Sequence, residues 1–167
     1  MKRQMDNLVR LLEARKLELF AAFPEGRGNY DAAIAAVLGG RHPKQGFDIE
    51  DIPNCPPIEL KKTLSKNGHL FVDGSAAARL HKRCGNEYVY VGVYGTGGLN
   101  GPVTAYIASG ADIFAMLRTE LWLSDWKDAH AMHELTGRHW RPEIKMRLYE
   151  KEMAEIAYAK VELRGNR

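Results

Sequence analysis

The sequence predicts an α/β (α+β) fold in which helices flank a mixed β-sheet. The chain opens with apolar residues at helical spacing over residues 5–20, and short β-like segments then alternate with helical ones. With 167 residues, of which 45% are hydrophobic, the chain is long enough to bury a substantial core. We therefore expect residues 1–167 to form a single domain.

The later helices are predicted from their end signals. The Ala-rich segment 30–38 has Asn29 or Asp31 as its N-cap and stops at Gly39 and Gly40. The other predicted helices cover residues 74–83, 111–120 and 142–156.

Short segments rich in β-branched and aromatic residues predict the strands. They cover residues 47–52, 57–64, 68–72, 87–94, 103–108 and 157–163. EYVYVGVY is the clearest of them, and the Gly-rich connection GTGGLNGP predicts a turn that joins it to VTAYIA. PNCPP separates the first two segments, because neither a helix nor a central strand tolerates these prolines.

The composition favours a cytoplasmic protein with an anionic partner. No apolar run suits a transmembrane helix, and the charged N-terminus is unlike a secretory signal. Cys55 and Cys84 form neither a CxxC motif nor a disulfide framework, which fits a reducing compartment. The net charge is +3, and basic residues gather at 61–66, 81–83 and 137–147. Each cluster is either a solvated face or part of a surface for a polyanion.

Acidic residues and a lysine are combined with core-forming residues around IELK. If residues 58–61 form a strand, Glu59 and Lys61 emerge together on one face while the isoleucine and leucine enter the core. Asp48 lies on the preceding β-like segment, and the Pro-rich turn can fold that segment back toward Glu59. Two carboxylates from neighbouring strands would then meet beside one lysine.

These residue types suit metal-assisted phosphodiester hydrolysis. Mg²⁺ prefers hard oxygen ligands and typically uses one or two protein carboxylates, leaving its other positions to water and phosphate. Asp48 and Glu59 are the candidate ligands. Lys61 is the candidate to orient or deprotonate a water and to stabilise the transition-state anion. The alternative is a charged, solvated sheet face that binds no metal.

Asp48, Glu59 and Lys61 resemble the D…ExK signature of the PD-(D/E)xK nuclease superfamily. GFDIED, residues 46–51, is similar to the GxDxxD form of small, orthodox type II restriction endonucleases. The resemblance implies a restriction-endonuclease-like core. It also implies a homodimer that cuts double-stranded DNA with Mg²⁺, each subunit supplying one active centre.

The chain departs from this family pattern at two positions. Phe47 stands in place of the proline, and Gln45 stands where some members carry a further acidic ligand. Asp51 is the alternative to Asp48 as the first metal ligand.

Sequence-specific DNA binding needs side chains that reach base edges and cations that hold phosphates. The candidates are Ser75, Arg79, His81, Arg138, His139 and Arg141. The alternative for each of them is a solvated surface residue. A homodimer would present these side chains twice to a twofold-symmetric site, and the leucines of the opening helix are a candidate interface.

Two other interpretations compete with this one. GVY at 92–94 and YIA at 106–108 resemble the GIY-YIG nuclease motif, with Arg118 and either Glu134 or Glu150 as further site residues. The second triplet ends in alanine where that motif has glycine. In the remaining interpretation the protein is a non-catalytic DNA-binding module whose carboxylates are only solvated.

Overall fold

The computed structural model describes residues 1–23, 30–85, 87–98, 100–120 and 145–165. The helices in these ranges are α1 (Lys2–Ala14), α2 (Lys16–Ala22), α3 (Asp31–Leu38), α4 (Gly74–Cys84), α5 (Gly110–Glu120) and α6 (Glu150–Ile156). The strands are β1 (Ile58–Thr63), β2 (His69–Asp73), β3 (Val89–Tyr94), β4 (Val103–Ser109), β5 (Lys145–Tyr149) and β6 (Ala159–Arg164). The predicted class, a mixed sheet flanked by helices, is confirmed.

Amphipathic spacing produces the opening helices. Leu8 and Leu12 of α1 lie one turn apart and are buried on the same side of the helix. The prediction of one continuous helix over residues 5–20 is wrong, because Arg15, with φ −112° and ψ 14°, ends α1 and a second helix follows. This change of direction lets Leu19 of α2 enter the same core. No helix in the described ranges has the length and apolar character needed to cross a membrane.

The sheet has the strand order β1-β3-β4-β6. β1 and β3 are parallel and are joined by a crossover that contains β2 and α4. The β3–β4 and β4–β6 pairs are antiparallel, so the Gly-rich connection predicted between β3 and β4 does join two hairpin strands.

Each face of the sheet has its own core. On the first face, Ile58 and Leu60 of β1 lie with the valines of β3 against α1, α2 and α3. On the second face, Tyr90 of β3 packs with residues of α4, α5 and β2. Glu59 leaves β1 on this second face, because it pairs in register with Tyr90, and Lys61 follows two residues later. The alternation predicted for β1 is therefore present.

The β-like segment predicted before the Pro-rich turn is reduced to isolated bridges. Ile49 bridges to Ile58, and Glu50 bridges to Arg41, both in the antiparallel sense. Asp51 has a φ of 60°, in the left-handed region, so extended pairing ends there. The short segment nevertheless runs back along the start of β1.

The helix predicted over residues 142–156 is wrong in its first part. β5 occupies this part and pairs antiparallel with β2, and helix α6 begins only at Glu150. Met146 and Leu148 are buried, whereas Arg147 between them is exposed, and this period of two belongs to a strand. Residues 142–144 lie outside the described ranges.

The β2–β5 pair, called here the ribbon, packs on the second face of the sheet. Its buried side consists of Leu70, Val72, Met146 and Leu148. A Cβ atom at Gly92 would lie 2.9 Å from Cδ1 of Leu70. Because Gly92 pairs in register with Lys61, the ribbon contacts the sheet beside the face from which Glu59 and Lys61 project.

Candidate active site

Asp48 is held against the strand that carries Glu59 and Lys61. Its Oδ2 atom accepts a hydrogen bond of 2.7 Å from the backbone N–H of Leu60. The preceding segment is fixed in this place by two backbone hydrogen bonds between Ile49 and Ile58, of 2.9 and 3.1 Å. The structure thus brings the carboxylate of Asp48 to the backbone between Glu59 and Lys61.

Glu59 and Lys61 form an ion pair on the same face of β1. Nζ of Lys61 lies 2.9 Å from Oε1 of Glu59. Glu59 is 8% exposed, whereas a third of the Lys61 side chain, 33%, is exposed. The pair therefore joins a carboxylate in the protein interior to an ammonium group that a ligand in solvent can reach.

Electrostatics set the protonation of this pair. Burial raises the pKa of Glu59, and the nearby carboxylates of Asp48 and Asp31 act in the same direction, while Lys61 opposes them. Burial lowers the pKa of Lys61, but Glu59, Asp48 and Asp31 together outweigh it, so the pKa lies above its ordinary value. Lys61 is therefore a permanent cation at neutral pH in this state, suited to stabilise an anion rather than to accept a proton.

Asp31 is the site residue that the sequence reasoning missed. It lies in the first turn of α3, and its Oδ1 is one of the buried side-chain atoms that have no hydrogen-bond partner in the structure. Burial raises the pKa of Asp31, and Asp48 adds to the effect. The sequence shows an isolated carboxylate at the start of an Ala-rich helix. Its position as a candidate N-cap already explains an aspartate there, so the sequence offers no separate reason to place it in the site.

Two tyrosines, one on each face of the sheet, lie close enough to the cluster to respond to its charges. Tyr90 is 4% exposed and lies opposite Glu59 in register; burial, followed by the charge of Glu59, raises its pKa well above the ordinary value. Burial and the charges of Asp31, Asp48 and Glu59 raise the pKa of Tyr30 in the same way. Because burial lowers the local dielectric, charges in the site act on one another more strongly than they would in water.

Two carboxylates are enough for the predicted ion. In the parts of the chain that the structure describes, no group of three or more His, Cys, Asp or Glu side chains is placed to hold a metal. Mg²⁺ typically takes only one or two protein carboxylates and fills its octahedron with water and phosphate oxygens. Asp48 and Glu59 are hard oxygen donors at one place, with Asp31 close enough to affect both electrostatically.

The alternative ligands lie elsewhere. The Asp51 side chain is 67% exposed, and its Oδ2 accepts a 2.8 Å hydrogen bond from Nε of Arg41. Gln45 is exposed. Phe47, where the family pattern has proline, is buried with its ring 5.4 Å from that of Tyr88. Of the two predicted aspartates, Asp48 is the one that adjoins Glu59.

The predicted DNA contacts are only partly within the described structure. Ser75, Arg79 and His81 lie on α4, the helix that directly follows β2. Arg138, His139 and Arg141 lie outside the described residues. Their role in binding DNA stays a prediction.

The tyrosines of the GIY-YIG interpretation belong to the core. Tyr94 is fully buried, and its hydroxyl donates a 2.9 Å hydrogen bond to the carbonyl of Leu148. The Tyr106 hydroxyl donates to Oε1 of Glu150 at 3.0 Å, and the Thr96 hydroxyl donates to Oε2 at 2.5 Å. Both oxygens of Glu150 are therefore engaged within the protein.

Comparison with protein-family models, with curated proteins and with solved structures finds no match to this chain. The family expected from the D…ExK pattern therefore stays a prediction. Function has to be inferred from the chemistry of the cluster formed by Asp31, Asp48, Glu59 and Lys61.

Mg²⁺ is expected to stabilise the protein, and increasingly so as the pH rises. At a Mg²⁺ concentration about ten times its Kd, binding adds about 1.4 kcal/mol. For a chain of this size, that raises Tm by roughly 3–6 °C. Because the pKa of Glu59 is raised, protons compete with the metal at a higher pH than they would at an ordinary glutamate. Thermal unfolding with and without Mg²⁺ across a pH series measures both effects.

Without metal, the stability of the folded state changes with pH in the opposite direction. The raised pKa of Glu59 means that the folded state binds this proton more tightly than the unfolded state. The resulting stability is complete below the ordinary carboxyl pKa of about 4.3, and it is lost as the pH rises through the folded-state pKa. The Glu59→Gln variant should lose less stability over this interval and gain less from Mg²⁺ than the wild type does, whereas Asp51→Asn should behave as wild type. An equal Mg²⁺ response in the two variants would contradict the site.

Proposed function

We propose that this protein is a Mg²⁺-dependent endonuclease that hydrolyses phosphodiester bonds of double-stranded DNA, acting as a homodimeric type II site-specific deoxyribonuclease. One observation carries the proposal. The Asp48 carboxylate is hydrogen-bonded to the backbone of β1 between Glu59 and Lys61, and the latter two form a half-buried ion pair.

The order of the elements around the cluster supports the proposal. Helix α3 and the bridged segment at residues 41–50 precede β1, and α4 then leads to β3, which lies parallel to β1. A strand that carries ExK, then a helix, then a hydrophobic strand is the order of elements that we expect in a restriction-endonuclease-like core. The parallel pairing of β1 with the fully buried strand β3 also gives Glu59 and Lys61 the rigid support that a metal site requires.

The roles of the side chains follow from their charges. Asp48 and Glu59 would hold Mg²⁺, which when bound supplies charge neutralisation at the phosphate and a more acidic water. The protonated Lys61 stays beside them and stabilises the negative charge that develops on the phosphate oxygens. Tyr90, which is buried beside Glu59, keeps bulk water from that side of the cluster. The charge of Asp31 acts on both Glu59 and Lys61.

The direct test is incubation of plasmid or phage DNA with the full chain, with and without Mg²⁺. Discrete fragments that appear only with the metal are expected from a site-specific enzyme. Analytical ultracentrifugation of the same preparation should find a dimer. DNA left intact in every mixture, although the protein is folded and binds it in a salt-sensitive manner, would instead support the non-catalytic DNA-binding module.

The GIY-YIG interpretation is the second candidate, because Tyr94 and Tyr106 lie on adjacent strands with their rings 5.7 Å apart and Glu150 is hydrogen-bonded to Tyr106. Under the leading proposal, Glu150→Gln keeps cleavage at the wild-type rate, since the amide retains a hydrogen-bond acceptor for one of its two hydroxyl donors. A metal ligand at this position would lose activity instead. Cleavage rates of Glu150→Gln and Glu59→Gln, measured side by side, separate the two interpretations.

A further inference from the structure

The ribbon has an outer side that is aromatic and basic. Its inner side packs on the sheet, so His69, Phe71 and Asp73 of β2, which alternate with the buried residues, project from the opposite side. On this outer side His69 pairs in register with Tyr149, and Phe71 pairs with Arg147. Phe71 is 50% exposed and Tyr149 is 41% exposed, and Arg147 is exposed as well.

The aromatic rings are held in contact with one another. The His69 ring lies edge-on to Phe71 at 4.7 Å and is tilted against Tyr149 at 5.1 Å. Because the opposite side of the ribbon is fixed in the core, these rings need little further ordering when they bind a flat ligand. Exposed aromatic side chains that are held in this way suit stacking against planar groups.

The inner side of the ribbon adjoins the candidate active site. β1 leads into β2 through a connection in which Lys66 is exposed. The inner residue Leu70 reaches Gly92, the register partner of Lys61. We expect a nucleic acid whose phosphate lies at Lys61 to extend along the ribbon toward Arg147 and the aromatic rings. Positive charge next to stacked rings is complementary to phosphates and bases together.

The occupant can be specified further from the chemistry of base faces. In an intact duplex the faces of the bases are stacked on one another and are closed to protein side chains. Only unpaired bases offer a free π-face to a tyrosine or phenylalanine. An apolar protein partner would favour an interface core from which charge is depleted, and Arg147 lies in the middle of this surface.

We propose that the outer side of the ribbon stacks on unpaired bases, so that the preferred DNA substrate contains a single-stranded segment adjoining the duplex that is cut. The preference for such a substrate rests on the proposed nuclease function, whereas the stacking on unpaired bases does not. Phe71 and Tyr149 provide the stacking surfaces, and Arg147 and Lys66 hold the phosphates of the single strand.

Fluorescence anisotropy in EDTA, where no metal-dependent cleavage occurs, tests the binding. The probes are a labelled blunt duplex and the same duplex with a single-stranded extension. The wild-type chain should bind the extended duplex more tightly than the blunt one. Phe71→Ala should weaken binding of the extended duplex by about tenfold and leave the blunt duplex unchanged, since stacking on a single base is lost.

Matched variants separate stacking from general apolar contact. Phe71→Leu keeps an apolar side chain without a ring and should behave like Phe71→Ala, whereas Phe71→Trp should retain the preference. Leu17→Ala removes an exposed apolar side chain on α2, 75% exposed, and should have no effect. Thermal unfolding confirms that each variant is folded. Wild-type affinity in Phe71→Leu, or equal affinity for the two probes in the wild type, would overturn the proposal.

The outcome also distinguishes this proposal from the nuclease proposal. Loss of the preference in Phe71→Ala without cleavage of any DNA in Mg²⁺ would support the stacking surface and reject the nuclease. Cleavage of DNA in Mg²⁺ with no preference for unpaired bases would support the nuclease and reject the stacking surface. A dimer that dissociates in Phe71→Ala, with DNA binding unchanged, would show that a second copy of the chain covers this surface and would overturn the proposal.

Discussion

We expect the replacement of Glu59 by Gln or of Lys61 by Met to lower the rate of DNA cleavage by about 10²–10³-fold, as removal of a group that stabilises transition-state charge does in other enzymes. Glu59→Gln removes a negatively charged ligand, so Mg²⁺ binding weakens and excess metal should restore part of the rate. Lys61→Met removes the cation but leaves both carboxylates, so added Mg²⁺ should not restore it. Single-turnover cleavage at several Mg²⁺ concentrations measures the difference.

The neighbouring lysine is the matched control for this prediction. Lys62 lies on the same strand but projects to the other face, where its Nζ is 4.4 Å from the centre of the Tyr30 ring. Lys62→Met removes the same charge within one residue of Lys61 and should retain most of the rate. If Lys61→Met and Lys62→Met lose equal activity, the lysine acts only through general attraction of DNA, and its assigned role is wrong.

The largest stability effect is expected from Gly110→Ala, at the start of α5. A Cβ atom there would lie 2.2 Å from Cζ of Tyr88, which is fully buried. The Tyr88 ring cannot withdraw freely, because it packs 5.4 Å from Phe47 and 6.0 Å from Tyr90. Overpacking of this kind costs about 3 kcal/mol, which lowers Tm by roughly 6–12 °C. Thermal and denaturant unfolding measure the loss.

Two further variants test whether the Tyr88 ring causes that loss of stability. Gly165 directly follows β6, and the nearest atom to an added Cβ there would lie 3.7 Å away. Gly165→Ala should therefore leave Tm almost unchanged. Tyr88→Leu combined with Gly110→Ala should be more stable than the sum of the two single losses, because the smaller side chain makes room. Additive losses would mean that the Tyr88 ring is not the obstacle.

The Tyr88 ring also connects the core to the active site. Phe47 directly precedes Asp48, and its ring contacts Tyr88. A shift of Tyr88 would therefore change the position from which Asp48 reaches the backbone of Leu60. Under the proposed function, we expect activity and stability to depend on the same close packing on the second face of the sheet.

The parts of the fold that could be predicted from the sequence are those with a local signal. The alternation in IELK fixes which residues of β1 enter the core, and a Gly-rich turn between two Val- and Tyr-rich segments fixes the β3–β4 hairpin. In the candidate site, the ExK spacing gave the proximity of Glu59 and Lys61, because residues two apart on a strand share a face.

The parts that could not be predicted depend on partners distant in the chain. KMRLY contains good helix formers, and it becomes a strand because β2 supplies its backbone partners. Asp31 approaches Asp48 and Glu59 only after α3 packs on the sheet, and no local pattern signals this contact. The bend at Arg15 likewise has no proline or glycine to mark it.

The account depends most on a divalent ion bound jointly by Asp48 and Glu59. Anomalous diffraction from crystals grown with Mn²⁺, a substitute for Mg²⁺ with the same preference for oxygen ligands, tests this directly. The account predicts a peak within about 2.5 Å of a carboxylate oxygen of each residue, with Lys61 beside it, and a weaker peak in Glu59→Gln crystals at the same Mn²⁺ concentration. A peak at Glu150 or at Asp51 instead, or an unbroken Glu59–Lys61 pair with no metal near it at saturating Mn²⁺, would contradict the central claim.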